Sequence, residues 1–181
     1  MKLMFASDIH GVAKACEEML DIFEKSGAER LVLLGDLLYH GPRNGVPEGY
    51  DPARVAELLS RHGDRILAVR GNCDAEIDQM LLPFPMMGDY CTMFEHGRMF
   101  FITHGHVYNE QQMPPCVPGT VLIHGHTHLL TAHNAPFGVV LNPGSVALPK
   151  GGNPRSYMLY EDGLFRILPM EGPGELGRMA I

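Results

Sequence analysis

The sequence is poor in basic residues and has no long apolar run. Its 14 Lys and Arg residues are outnumbered by 21 Asp and Glu residues, which gives a net charge of −7 with histidine neutral. An acidic surface repels a nucleic-acid backbone, so we expect no binding along a long polynucleotide. No apolar run reaches the length of a membrane span, and the first strand leads into Ser7 without a signal-peptide pattern. We therefore predict a cytoplasmic protein with no membrane partner.

Cysteines are few and far apart. None of the four forms a CxxC pair, which excludes the usual spacing of an all-cysteine zinc site. Disulfides are not expected in a cytoplasmic protein. The length of 181 residues and the hydrophobic fraction of 45% suit one globular domain. We expect that domain to span residues 1–181.

The two halves of the chain have different patterns of apolar residues. In the first half, strands predicted at 2–6, 30–34 and 65–69 alternate with helices predicted at 12–26 and 52–62. The second half has a short predicted helix at 74–82 and then seven strand-like runs, with turns at His96-Gly97 and Asp162-Gly163. We expect residues 171–178 to form a loosely held tail. The pattern predicts an α/β protein in which two sheets pack together with helices outside.

Residues of metal-ligating type follow the apolar runs. Ligands of α/β sheets gather at the carboxyl ends of the strands, so these residues are expected to meet there. They comprise two carboxylates, four imidazoles and one amide, a set larger than one tetrahedral ion needs and suited to two ions that share a carboxylate. A glycine lies near each position, and we expect Gly125 to permit a bend before the last two histidines. The residues are Asp8, His10, Asp36, Asn72, His104, His126 and His128.

Five ordered motifs resemble those of the calcineurin-like metallophosphoesterases, and within that family the YfcE-type branch of small bacterial and archaeal phosphodiesterases. The loop at 41–44 and the stretch at 142–145 are also similar to this branch. The resemblance implies a four-layer α/β/β/α sandwich of two mixed β-sheets flanked by helices. The five motifs are Asp8-Ile9-His10-Gly11, Gly35-Asp36, Gly71-Asn72, Thr103-His104-Gly105 and Gly125-His126-Thr127-His128.

The same resemblance implies a role for each of these side chains. Asp8, His10 and His128 would hold one divalent ion. Asn72, His104 and His126 would hold a second, and Asp36 would bridge the two; Asp36, Asn72 and His104 are the residues to which we assign catalysis. A hydroxide bound by the ions would attack a phosphodiester. Manganese is our first choice of metal, with iron, zinc and nickel as alternatives, because mixed imidazole and carboxylate sites accept all four.

Three further residues are candidates for substrate binding. Arg43 lies in a long Gly- and Pro-rich loop, where it could clamp a phosphate oxygen or remain a solvated charge. His106 follows a predicted ligand and is interpreted as a loop histidine beside the site rather than a ligand. Cys73 stands where many members of the family have a histidine that contacts phosphate or protonates the leaving group. A thiol donates its proton weakly, so the usual acid is in doubt.

The leading hypothesis is a metal-dependent phosphodiesterase that acts on a small phosphodiester. One alternative is a scaffold that keeps the fold without the chemistry, as does the retromer subunit that resembles this family. All seven ligand positions are filled here, which favours the enzyme. Another alternative is a phosphomonoesterase, which the absence of histidine after Asn72 disfavours. The natural substrate is not given by the sequence, and a homo-oligomer is compatible with it.

Overall fold

The computed structural model describes residues 1–181 and contains eleven strands and three α-helices. Five elements precede α3 and eight strands follow it, apart from one short 3-10 helix at Gly63–Arg65. The elements are β1 (Lys2–Ala6), α1 (Ala13–Ser26), β2 (Arg30–Leu33), α2 (Pro52–Ser60), β3 (Ile66–Ala68), α3 (Glu76–Leu81), β4 (Tyr90–Glu95), β5 (Arg98–Thr103), β6 (Thr120–Ile123), β7 (Leu130–Ala135), β8 (Gly138–Pro143), β9 (Ser156–Glu161), β10 (Leu164–Pro169) and β11 (Gly177–Ala180).

The strands form two mixed sheets. The first has the order β11-β10-β9-β1-β2-β3, and the second has the order β4-β5-β6-β8-β7. Strands β1, β2 and β3 are parallel, as the alternation of strands and helices predicts. In the second sheet β5, β6 and β8 are also parallel. The two mixed sheets and their helices confirm the predicted fold class.

Helices α1 and α2 cover one face of the first sheet because each has an apolar stripe. In α1 the buried side chains include Cys16, Met19, Leu20 and Phe23, a spacing of three and four residues that places them on one side. Each large apolar side chain buried in this way contributes about 1.5–3 kcal/mol. Helix α1 ends at Gly27, whose left-handed φ of 70° matches the predicted stop.

The other face of the first sheet packs against the second sheet. This core joins alternate residues of β1 to residues of β5 and β6, such as Phe5, Phe100 and Ile123. The far face of the second sheet carries Phe101 and Leu122 in a smaller cluster, against side chains of the segment 108–116. The carboxyl ends of β1, β2, β5 and β6 consequently open toward the same region between the sheets.

Two local predictions had different outcomes. Both hairpin turns are present, because His96 and Asp162 adopt left-handed φ angles of 52° and 48° and each is followed by a left-handed glycine. The predicted loose tail is wrong in its last two residues. Gly177 and Arg178 begin β11, which pairs antiparallel with β10 at the edge of the first sheet.

None of the helices has the combination of length and apolar character that crossing a bilayer requires.

Candidate metal centre

Five predicted ligands are held in a backbone conformation that side chains other than glycine rarely adopt. Only seven residues other than glycine have a left-handed φ, and two of them belong to the hairpin turns. Such angles cost of order 1–3 kcal/mol each and persist only where the surrounding structure holds them. The remaining five are Asp8, His10, Asp36, His126 and His128, with φ between 49° and 66°.

Close packing, and not a left-handed backbone, explains two of the motif glycines. Gly125 has no left-handed φ, so the expected bend is made by His126 and His128 themselves. A Cβ atom on Gly125 would lie 1.9 Å from Ser7 Oγ, and one on Gly71 would lie 2.1 Å from Asp36 Oδ1. Both glycines are therefore required so that neighbouring loops can approach the buried carboxylates.

Three histidines are oriented in the same way by backbone carbonyl groups. The Nδ1–H of His10 donates to Tyr39 O at 2.9 Å, that of His104 to Leu34 O at 2.6 Å, and that of His128 to Leu148 O at 2.5 Å. Donation from Nδ1 leaves Nε2 free to act as a ligand, which is the arrangement found for metal-bound histidines.

The Nε2 atoms point at two buried carboxylates. Nε2 of His10 and of His128 lie 3.6 and 3.2 Å from Asp8 Oδ1 and 3.3 Å from each other. That Asp8 oxygen is buried and accepts no hydrogen bond, which is costly for a carboxylate. A divalent cation at this point would satisfy all three atoms, so these residues fit a metal ion.

Asp36 lies between the two predicted ligand sets. Its Oδ2 is 3.7 Å from His10 Nε2 and 3.4 Å from His104 Nε2. Its Oδ1 accepts the backbone N–H of Cys73 at 2.8 Å. On the second side, His104 Nε2 is 3.2 Å from the side-chain oxygen of Asn72.

Three sets of side chains have ligand atoms close enough together to hold one ion. Asp8 is grouped with His10 and His128, and Asp8 is also grouped with Asp36 and His104. A third set joins His10 and Asp36 to Cys73, a residue not predicted as a ligand. His126 belongs to none of these sets, although its ring centroid is 5.0 Å from that of His104.

The ionisation of these residues reflects their mutual attraction. Burial alone would raise the pKa of Asp8, but the rings of His10 and His128 hold it well below its usual range. Burial alone would lower the pKa of His104, but its contact with Asp36 raises it to about 9. The two carboxylates therefore stabilise a positive charge on the neighbouring imidazole rings.

The other site residues are shifted mainly by burial. Burial, followed by the charge of His104, lowers the pKa of His126 to about 4. Burial, followed by the charge of Asp36, raises the pKa of the Cys73 thiol to about 12. Cys73 Sγ accepts a hydrogen bond from Asn72 Nδ2 at 3.1 Å.

The predicted substrate residues divide between two places. A cavity of about 450 Å³ opens over the ligands, and Arg43 and Cys73 line it. His106 does not line that cavity; it lines an adjoining one, and its ring centroid is 5.3 Å from that of His104.

Two residues contribute to the site although the sequence does not predict it: Lys150 is interpreted from the sequence as a surface charge in a Gly-rich loop, and no role is predicted for Asp74. Lys150 lines the same cavity and has no acidic partner, whereas its backbone N–H donates to His128 O at 3.2 Å. Asp74 is buried and accepts three backbone N–H groups, those of Asp36, Leu37 and Gly71, at 2.7–2.8 Å. Its position directly after the Gly71-Asn72-Cys73 turn is the one sequence signal that could have indicated it.

The fold and this cluster place the chain in a known family. The family model for the calcineurin-like phosphoesterase superfamily domain matches residues 1–162, and the chain belongs to that superfamily. The chain is 46% identical over 181 residues to Phosphodiesterase YfcE of Escherichia coli K12, covering 100% of this chain and 98% of that protein. The solved structure of YfcE, described as a phosphoesterase from E. coli, matches with a TM-score of 0.97 and 45% identity over 100% of both chains.

A more distant match shows the fold alone. Vacuolar Protein Sorting 29 from Cryptosporidium parvum has a TM-score of 0.66 at 15% identity, covering 99% of this chain and 98% of that one.

Proposed function

We propose that this protein is a phosphodiesterase that uses two divalent metal ions and acts on a small phosphodiester. The observation that carries the proposal is the convergence of three Nε2 atoms on two buried carboxylates, in a chain 46% identical to a phosphodiesterase over its full length. We also propose that it works in the cytoplasm.

The residues that would hold the first ion are Asp8, His10 and His128. Asn72, His104 and His126 would hold the second. Asp36 would contribute to both, and its position between His10 and His104 supports this bridging role. Bound ions of this kind supply a hydroxide nucleophile at neutral pH and neutralise charge on the phosphoryl oxygens. Manganese remains our first choice, ahead of iron, zinc and nickel.

The protein's own residues would bind and orient the substrate. Arg43 and Lys150 line the cavity and neither makes an ion pair, so both charges are available to phosphoryl oxygens. The hydrogen bond from the backbone N–H of Lys150 to His128 O holds the loop of Lys150 beside this predicted metal ligand. Cys73 lies within the same cavity but has only a weakly donating S–H group. We infer that the departing oxygen receives little acid catalysis from this position.

The direct test is metal content measured together with turnover. Chelation should abolish hydrolysis of an aryl phosphodiester, and Mn²⁺ should restore it at two ions per chain. Asp36→Asn should reduce both stoichiometry and kcat more than any other single change of a ligand, because one carboxylate serves both ions. Asp21→Asn, a surface carboxylate in a helical pair with Lys25, is the matched control.

Two results would contradict the proposal. Full turnover in a verified metal-free sample would exclude a metal-dependent reaction. Near-normal turnover of Asp36→Asn beside an inactive His10→Ala variant would exclude the bridging role of Asp36.

A further inference from the structure

A second cavity of about 340 Å³ lies next to the one over the metal ligands. His126 and Thr127 line both cavities, so a phosphoryl group held over the ligands in the first cavity would have the second one adjoining it. A phosphodiester carries two substituents and a monoester only one. A diester needs space for both substituents, and two adjoining cavities provide it. No residue role given above makes use of the second cavity.

The outer wall of the second cavity is a structured loop. Asn109 Nδ2 donates to Gly105 O at 3.2 Å, which ties the loop to the residue after His104. Asn109 Oδ1 also accepts the backbone N–H of Gln111 at 3.0 Å. Glu110 then pairs with His133 of β7 at 3.0 Å, and this contact joins the loop to the second sheet.

Most residues that line this cavity have polar or charged side chains. Leu129 is the only hydrophobic residue among the eleven that line it. Thr131 and His133 are two residues apart on β7 and both line the cavity, and the Thr131 hydroxyl makes no hydrogen bond within the protein. At the inner end His124 is nearly buried, and the buried Nδ1 of His106 has no hydrogen-bond partner. The His106 nitrogen is buried and out of a ligand's reach, so the unpaired Thr131 hydroxyl is the group that favours a ligand able to hydrogen-bond.

We propose that this second cavity binds one ester substituent of the substrate, and that the substituent is a polar alcohol such as a nucleoside rather than an acyl or alkyl chain. The inference rests on the proposed phosphodiesterase function and names the substrate class for it. A nucleoside presents donors and acceptors on both its sugar and its base, which suits histidine, threonine and glutamate side chains.

Two aryl diesters with the same leaving group test the proposal in the metal-loaded protein. They are thymidine 5′-(4-nitrophenyl) phosphate and methyl 4-nitrophenyl phosphate. The ratio of their kcat/KM values should favour the nucleoside ester in the wild type. His133→Ala and Thr131→Val should each lower that ratio by about 2- to 10-fold, the effect of one lost hydrogen bond. Thr131→Val conserves the side-chain volume, so it still tests the proposal if His133→Ala does not fold.

The matched control is His62→Ala. His62 pairs with Glu24 at 3.2 Å, much as His133 pairs with Glu110, but it lines neither cavity. The ratio of the two kcat/KM values in His62→Ala should equal that in the wild type. A readout independent of turnover is calorimetric binding of thymidine 5′-monophosphate relative to methyl phosphate, which should change in parallel with the ratio.

The outcomes separate this inference from the function on which it rests. If the methyl ester is hydrolysed but neither variant changes the ratio, the substituent does not occupy this cavity. If an octyl aryl diester is a better substrate than the nucleoside ester, the polar class is wrong. If the wild type hydrolyses neither test diester, the phosphodiesterase function itself fails.

Discussion

Replacing Asp74 by asparagine should loosen the loops that carry the predicted metal ligands Asp36 and Asn72. Asp74 Oδ2 accepts the N–H groups of Asp36 and Gly71, and Oδ1 accepts that of Leu37. Asparagine has the same shape but only one accepting oxygen. Its amide group must therefore face at least one of these N–H groups with another donor.

The size of the effect follows from the three bonds. One bond to a charged group is lost and a buried N–H is left unpaired, which costs about 1.5–3 kcal/mol. The two surviving bonds lose their charge assistance, which about halves the strength of each. We expect a total loss of roughly 3–5 kcal/mol, and a lower Tm by at least about 6 °C in a protein of this size.

Asp78→Asn is the matched control for this experiment. Asp74 and Asp78 are equally buried at 8% exposure, but Asp78 accepts a single backbone N–H, from Ala75 at 2.8 Å. An asparagine oxygen can keep that bond, so the loss should be about 1 kcal/mol. Thermal unfolding and metal titration of both variants provide the comparison. Equal Tm values and equal metal affinities would refute the role given to Asp74.

Three further predictions concern the site and its surroundings. Gly71→Ala should displace the Asp36 carboxylate and lower metal stoichiometry, because the new Cβ would lie 2.1 Å from Asp36 Oδ1; Gly45→Ala, with open space around it, should not. Cys73→His should raise kcat/KM for alkyl phosphomonoesters more than for aryl diesters, whereas Cys73→Ser should change aryl diester turnover little, because acid catalysis is worth about 10²–10⁴-fold mainly with poor leaving groups. A mobility-shift assay at physiological salt should detect no tight duplex binding by this acidic chain.

The sequence predicts most elements because their patterns are local. The spacing of buried residues in α1 and the glycine after it place the helix to within one residue. The turn pairs at His96 and Asp162 need only their own left-handed angles, so two-residue patterns suffice. Strand β11 is different, because its four residues alternate between exposed and half-buried and become a strand only through pairing with β10.

The same distinction applies to the site. Asp8 and Asp36 can be recognised because each ends an apolar strand, and the structure brings their carboxylates close to the predicted histidines. The contacts of Asp74 with Asp36 and Leu37 join residues 38 and 37 positions apart, and no local pattern encodes them. The pairing of Glu110 with His133 likewise depends on how a loop meets the second sheet.

The left-handed backbone at the predicted ligands means that backbone stability and metal binding favour different residues at the same positions. Glycine adopts such angles freely, so a change such as His126→Gly would relax the local backbone while removing a predicted ligand. Random mutagenesis selected only for thermal stability should therefore accept glycine most readily at His126, which is half-buried, whereas the other four positions are buried. A homologue that no longer needed the ions would be free to make the same changes, and the positions where glycine replaces Asp or His would record that loss.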